Sequence, residues 1–168
     1  MKIYFKNAEL LSKGLVLLAE DLGVEICGEN DADVTVDVRE SDERIVKVEL
    51  EGKFAKITYG DGKARFFRGL AILVNWLKNG KKEGNITENP LFKTNGAMVD
   101  MSRNAVMNVK TVKTMMRKMA LMGLNTYMLY TEDTYELEDY PYFGYMRGRY
   151  TKDEIKEKME ENLRGELS

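Results

Sequence analysis

Between Gly96 and Thr131 the apolar residues change their spacing twice, and this change constrains the fold more than any other feature of the chain. Ala97 to Met101 is a short apolar run interrupted by Asp100 and followed by Ser102 and Arg103, the pattern of a buried strand that ends in polar groups. From Val109 onward Val112, Met115, Met116, Met119, Ala120 and Met122 recur at helical spacing, with Lys110, Lys113, Thr114, Arg117 and Lys118 on the other side. Gly123 caps that helix. Asn125 to Thr131, rich in Tyr, Thr and Leu, reads as a second strand that runs into Glu132 and Asp133. Two strands joined by a helix of this length form a parallel βαβ unit. Both strands then deliver polar residues to one carboxyl edge: Asp100, Ser102 and Arg103 from the first, Glu132 and Asp133 from the second. That is the edge where barrels and open parallel sheets bind ligands.

Upstream the periodicities are those of a small α+β domain. Lys2 to Phe5 alternates like a strand, and Asn7 is positioned as the N-cap of a helix that carries Leu10, Leu11, Leu15, Leu18 and Leu22 to Gly23. Strands are predicted at Val24–Cys27, Val34–Val38, Arg44–Leu50 and Phe54–Tyr59, the last two joined through Glu51-Gly52-Lys53 as an antiparallel hairpin. A second helix follows Gly60-Asp-Gly62, with Phe66, Phe67, Leu70, Leu73 and Trp76 on a broad apolar face. Two helices on one face of a mixed or antiparallel sheet account for residues 1–89. Lys78 to Asn89, KNGKKEGNITEN, reads as the linker to residues 90–168.

Composition removes several classes of function. The chain has 26 basic and 28 acidic side chains, so nothing favours nucleic acid or an anionic membrane as partner. It has no histidine and one cysteine, Cys27, which removes Ser-His-Asp catalysis, a Cys/His zinc site and an internal disulfide. No cofactor or metal is expected. The start, MKIYFKNAELL, lacks the apolar segment of a signal peptide, and no window suits a membrane span, so the expectation is a cytoplasmic protein.

Four short motifs now occur in order: Asp100-Met-Ser-Arg103, Thr131-Glu-Asp133 after Asn125, Tyr140-Pro141, and Gly148-Arg-Tyr-Thr151. Together they resemble the opening of the catalytic barrel of glycoside hydrolase family 20, the β-N-acetylhexosaminidases. The resemblance covers Gly96 to Glu157, and more loosely Lys53 to Leu77 is similar to the end of the small domain that precedes that barrel. It implies an α+β domain at 1–89 and, at 90–168, an incomplete α/β segment, the first βαβ of a (β/α)8 TIM barrel. It implies that Arg103 holds hydroxyls of a terminal N-acetylhexosamine, in keeping with the fixed donors of a guanidinium, and that Asp133 belongs to a supporting polar network. In the family that aspartate braces a histidine from a later strand. The resemblance further implies a substrate-assisted retaining mechanism in which one carboxylate orients the acetamido group and its neighbour is the general acid/base. That Asp-Glu pair follows the fourth barrel strand, so no catalytic residue is expected in this chain.

The remaining features carry structural readings beside functional ones. Asp42-Glu43 falls in a turn, and Asp153-Glu154 follows Thr151 in the form of a capping box. Tyr140, Tyr142, Phe143, Tyr145 and Tyr150 suit either a sugar-stacking surface or a loop packed on its own rings, and the Pro141 and Gly144 punctuation favours packing. The methionines read as core filler and the basic side of the 109–122 helix as solvent-facing. A complete barrel takes about 250 residues, far more than follow Asn95. The chain therefore reads as the N-terminal fragment of a glycosidase, inactive alone, whose partner in a complete enzyme is an N-acetylhexosamine-containing glycan. Another glycosidase family with a similar leading domain is a weaker reading. The reading from a different class is a non-catalytic interaction module that self-associates through its βαβ segment, whose open edges and apolar face invite pairing.

Overall fold

Strict alternation of Val34, Val36 and Val38, of Val46, Val48 and Leu50, and of Ala55, Ile57 and Tyr59 places every second side chain of three strands on one face, and all nine are buried. In the computed structural model, which describes residues 1–103 and 106–163 with residues 158–163 by backbone alone, these strands form the centre of a six-stranded mixed sheet. The strands are β1 (Lys2–Lys6), β2 (Glu25–Ile26), β3 (Val34–Glu40), β4 (Val46–Glu51), β5 (Phe54–Tyr59) and β6 (Glu83–Glu88), in the order β2-β1-β3-β5-β4-β6. β3 runs parallel to both β1 and β5, whereas β4 is antiparallel to β5 and β6. The β4–β5 hairpin turns at Gly52 with a φ of 60°, a conformation that favours glycine.

Two helices, α1 (Ser12–Leu22) and α2 (Lys63–Lys78), bury Leu15, Leu18, Phe66, Phe67, Leu70 and Leu73 in the same core as that sheet. Gly69 lets α2 approach closely, since a Cβ there would stand 2.8 Å from Ile57 Cγ2. The α+β fold with two helices on a mixed sheet is thus as the periodicity predicts.

Three local expectations are corrected. Asn7 is no N-cap: it adopts a φ of 62° and its Nδ2 donates to Asp37 Oδ1 at 2.9 Å, while the helix starts through a short 3-10 turn over Glu9–Leu11. Asparagine tolerates the left-handed region because its short amide bonds locally. The linker expected over 78–89 contains β6, paired with β4 from Glu51↔Glu83 to Val46↔Glu88. Its alternating polar residues suit an edge strand, whose exposed side needs no apolar cover. The strand expected from Arg44 starts at Val46, because Arg44 instead turns its Nε to Asp61 Oδ2 at 2.9 Å.

The remaining described chain contains β7 (Gly96–Asp100), α3 (Val109–Leu121), β8 (Thr126–Tyr130) and α4 (Lys152–Leu163). β7 and β8 pair in parallel from Gly96↔Thr126 to Asp100↔Tyr130, the βαβ unit that the spacing predicts. Asn108 caps α3, its Oδ1 accepting from the Thr111 amide at 2.9 Å. The Thr151 capping box forms as expected: Glu154 Oε2 accepts from the Thr151 amide at 2.9 Å and Thr151 Oγ1 from the Glu154 amide at 3.1 Å. A second core gathers Met101, Val112, Met116 and Tyr150 between sheet and helices.

α3 also docks on the first unit. Ala120 belongs to the first core, and Arg117 Nε meets Asp21 Oδ2 at 2.8 Å, so the basic side of α3 is not wholly solvent-facing. The βαβ segment expected to self-associate thus rests on the first unit, and this arrangement supplies no support for self-association. No helix among the described residues is long and apolar enough to cross a membrane.

Candidate functional site

Both strands of the second sheet end at the same edge, and their polar termini fold into a connected group. Asp100 closes β7 by accepting at Oδ1 from the Ser102 hydroxyl at 2.7 Å and the Ser102 amide at 2.8 Å. Those bonds, the hydroxyl's first, hold its carboxyl below the usual carboxylate range. Arg103 then projects outward, 69% exposed, with Nε 3.6 Å from Asp100 Oδ2. Across the register from Asp100, the Tyr130 hydroxyl donates to Glu132 Oε1 at 2.9 Å. This bond raises the Tyr130 pKa, and the Arg103 guanidinium beside the same hydroxyl pulls it the other way. Glu132 adopts a φ of 45°, so the chain turns sharply as it leaves β8.

Asp133 lies one residue further on. Its Oδ1 is shut off from solvent and accepts no hydrogen bond among the described residues, with Arg147 Nη2 at 3.6 Å as its ion-pair partner. Arg147 also donates to the Ser102 carbonyl, so one guanidinium ties the end of β7 to the loop after β8. The long loop is folded tightly enough to bring Arg147 there. Gly144, at a φ of 67°, passes so close to Asp133 that a Cβ would stand 1.9 Å from its carbonyl oxygen, and Met146 and Gly148 also have positive φ. Tyr150 anchors the far end: it forms a bridge with Tyr135, and its buried hydroxyl donates to the Met107 carbonyl. Burial pushes the Tyr150 pKa up to about 12.

The structure therefore brings Arg103 to the same edge as Asp133, but the two belong to separate ion pairs. Glu132, expected at this edge, joins them, as do Tyr130 and Arg147, to which the sequence pattern assigns no role. Only the glycines flanking Arg147 signalled a constrained backbone there. The expectation that the aromatic run packs is corrected in part. Phe143 packs edge-to-face on Tyr135 at 5.3 Å and Tyr150 is buried, but Tyr140, Tyr142 and Tyr145 stand in solvent, Tyr142 84% exposed. The methionines divide likewise: Met101, Met116 and Met119 are buried, whereas Met98 and Met122 are exposed. Met98 lies on the face of β7 turned away from α3. Among the described residues no cluster of acidic, histidine or cysteine side chains could hold a metal ion.

No family model and no curated protein matches the sequence. The fold, however, recurs in solved structures. The exo-β-N-acetylglucosaminidase of glycoside hydrolase family 20 from Vibrio harveyi, solved with N-acetylglucosamine, is similar with a TM-score of 0.75 at 18% identity, over 99% of this chain and 32% of that one. The Flavobacterium johnsoniae chitobiase gives 0.68 at 18% identity, over 99% and 30%. The family 20 β-N-acetylhexosaminidase of Streptomyces coelicolor A3(2) gives 0.69 at 18% identity, over 100% and 40%. At such identities the likeness shows the fold alone: this chain is folded like part of each of these three proteins. It spans between 30% and 40% of the length of these three enzymes.

Proposed function

We propose that this chain is the leading part of a β-N-acetylhexosaminidase of the family 20 type, with its small α+β domain at 1–89 and the first βαβ of a (β/α)8 barrel beginning within 90–168. The observation that carries this reading is the shared edge. In a chain with this fold, β7 and β8 run parallel and both end in polar residues where a barrel binds its ligand. The substrate is then a glycan ending in N-acetylglucosamine or N-acetylgalactosamine.

In this reading Arg103 holds sugar hydroxyls. Its exposure at the rim supports that role, since among the described residues its guanidinium meets the Asp100 carboxylate and the Tyr130 hydroxyl and presents its remaining donors outward. Asp133 supports a neighbouring group. Its shielded Oδ1 suits a donor brought by a later strand, because a carboxylate oxygen cut off from water is costly without one. The hydrolysis itself is substrate-assisted and requires an Asp-Glu pair after the fourth barrel strand, a place that neither Asp42-Glu43 nor Asp153-Glu154 holds.

The 168-residue chain is accordingly inactive alone. Incubation with a chromogenic N-acetyl-β-glucosaminide checks this, and turnover abolished by Asp133→Ala or Glu154→Ala would place the catalytic site here and overturn the assignment. Reading the coding frame beyond the Ser168 codon tests the family. The expected continuation contains an adjacent Asp-Glu pair and a histidine.

A further inference from the structure

Arg65, on α2, is 4% exposed and has no carboxylate within ion-pair distance among the described residues. Its Nη1 donates to the Gly123 carbonyl at 2.9 Å and its Nη2 to the Phe92 carbonyl at 3.0 Å. These two carbonyls are not equivalent neighbours of one element. Phe92 lies four residues before β7 and Gly123 three before β8, so one guanidinium grips the lead-in to both parallel strands. We propose that Arg65 is a positioning residue, the joint through which the six-stranded unit sets where β7 and β8 stand and hence where their carboxyl ends present Arg103 and Asp133.

The surrounding chemistry favours a joint over a bystander. A buried guanidinium is retained at a cost unless its donors are used; here Nη1 and Nη2 are used on main-chain carbonyls of the other unit, while the buried Nε has no hydrogen-bond partner among the described residues. Gly123 follows α3, where orphan carbonyls and the negative end of the helix dipole favour a cation. Gly123 itself is buried, has a φ of 77°, and leaves so little room that a Cβ would stand 3.1 Å from Arg68 Cβ. Arg68 is fixed in turn by a two-pronged bond to Glu88 on β6, at 2.8 and 3.0 Å. Inside the second unit Asn125 completes the grip: its Nδ2 donates to the Lys93 carbonyl at 2.7 Å and its Oδ1 accepts from the Asn95 amide at 2.9 Å. The lead-ins are thus stapled to each other by Asn125 and to α2 by Arg65. A fork with two parallel donors suits this task, because it fixes two acceptors relative to each other.

The consequence for a sugar site rests on the glycosidase reading; the joint itself does not. The experiment is amide hydrogen exchange on the 168-residue chain, comparing Arg65→Met, which keeps bulk but donates nothing, with Arg65→Lys, which keeps donors. In Arg65→Met, amides of β7 and β8 are expected to lose protection by about tenfold or more while those of β3 and β5 keep theirs. Arg65→Lys is expected to restore part of the loss. Unchanged protection in Arg65→Met, an equal loss in both sheets, or a lysine variant no better than methionine would each overturn the proposal. Should Arg65→Met not fold, the wild-type NMR spectrum decides: resolved, slowly rotating Arg65 Nη–H signals support a locked fork, and one averaged signal overturns it. No readout uses catalysis, so an inactive or non-glycosidase chain would leave this result standing, and a failed joint would leave the glycosidase reading standing.

Discussion

In the six-stranded sheet each apolar side chain turned toward the helices finds cover within the same unit, and the opposite face is made of residues such as Thr35, Asp37, Lys47 and Glu49 that suit water. The two-stranded sheet is different. α3 covers Val99, Tyr127 and Leu129, but the other face presents Met98 at 68% exposure and Met128 at 55%, cross-strand partners in the register, with Tyr130 beside them. Both faces of β7 and β8 are therefore apolar along most of their length, the habit of strands in parallel sheets covered on both sides. A two-stranded unit does not normally stand by itself, and here it leans on α2 through Ala120 and Arg65. The difference separates a region that closes its own core from one whose pattern is written for more neighbours than the described chain provides.

The largest effect that would test this contrast is expected in the closed region. Phe66 is fully buried and meets Phe5, Tyr59 and Phe67 edge-to-face at 5.3 to 6.3 Å. Phe66→Ala should cost about 3–5 kcal/mol and release the docked βαβ unit as well. Urea unfolding, followed with hydrogen exchange, measures both. Met116→Ala, in the second core, should cost about 2 kcal/mol, with faster exchange confined to β7, α3 and β8. If Met116→Ala weakens the first sheet as strongly as Phe66→Ala does, the two regions are one cooperative unit and the contrast fails.

The same contrast explains what could be read from residue order. The hairpin, both long helices, the βαβ unit and the Thr151 cap follow from local pattern, because each is decided by spacing, a glycine or a capping residue. β6 was missed since an edge strand such as Glu83–Glu88 pairs by main chain and keeps polar side chains, leaving Ile86 as its one large apolar residue. At the site, Arg103 and Asp133 stand out as polar ends of apolar runs. Arg147 reaches the Ser102 carbonyl across 45 residues, through successive left-handed turns. No periodicity encodes such a reach.

A functional test of the open edge comes next in size. If the proposed glycosidase reading holds, Arg103→Ala in the longer enzyme should lower kcat/KM by the equivalent of about 1–3 kcal/mol, the value of charge-assisted hydrogen bonds to sugar hydroxyls. An unchanged kcat/KM with unchanged folding would make Arg103 an ordinary exposed arginine.

A smaller effect concerns the seam. The two-pronged bond from Arg68 holds the Glu88 carboxyl below its ordinary value of 4.5, against an opposing push from burial. A depressed folded pKa contributes stability that is fully present above the unfolded value and is lost as pH falls through the folded one. The pair is about one-third exposed, so its contribution should stay below about 1 kcal/mol. Glu88→Gln should flatten the acid limb of the stability curve below pH 4.5 and lower the neutral plateau by the same amount, below about 1 kcal/mol. An acid limb identical to wild type would remove Glu88 from the seam.

The smallest effect gives the sharpest comparison. Met128→Gln keeps length and flexibility while replacing an apolar tip with an amide that water can satisfy. On the open face of β8 the residue is already more than half exposed, so in the 168-residue chain the change should alter stability by no more than about 0.5 kcal/mol. In a chain long enough to cover that face, the same amide would be buried against apolar neighbours and should cost about 1–3 kcal/mol. Denaturant midpoints for both lengths supply the two numbers. Equal, small costs in both would mean that the face stays open in the longer protein, and a large cost in the short chain would mean that Met128 is already covered. Light scattering across a concentration series separates those outcomes further: a second copy seated on Met98 and Met128 makes the short chain's cost rise with protein concentration, whereas cover from within one chain does not.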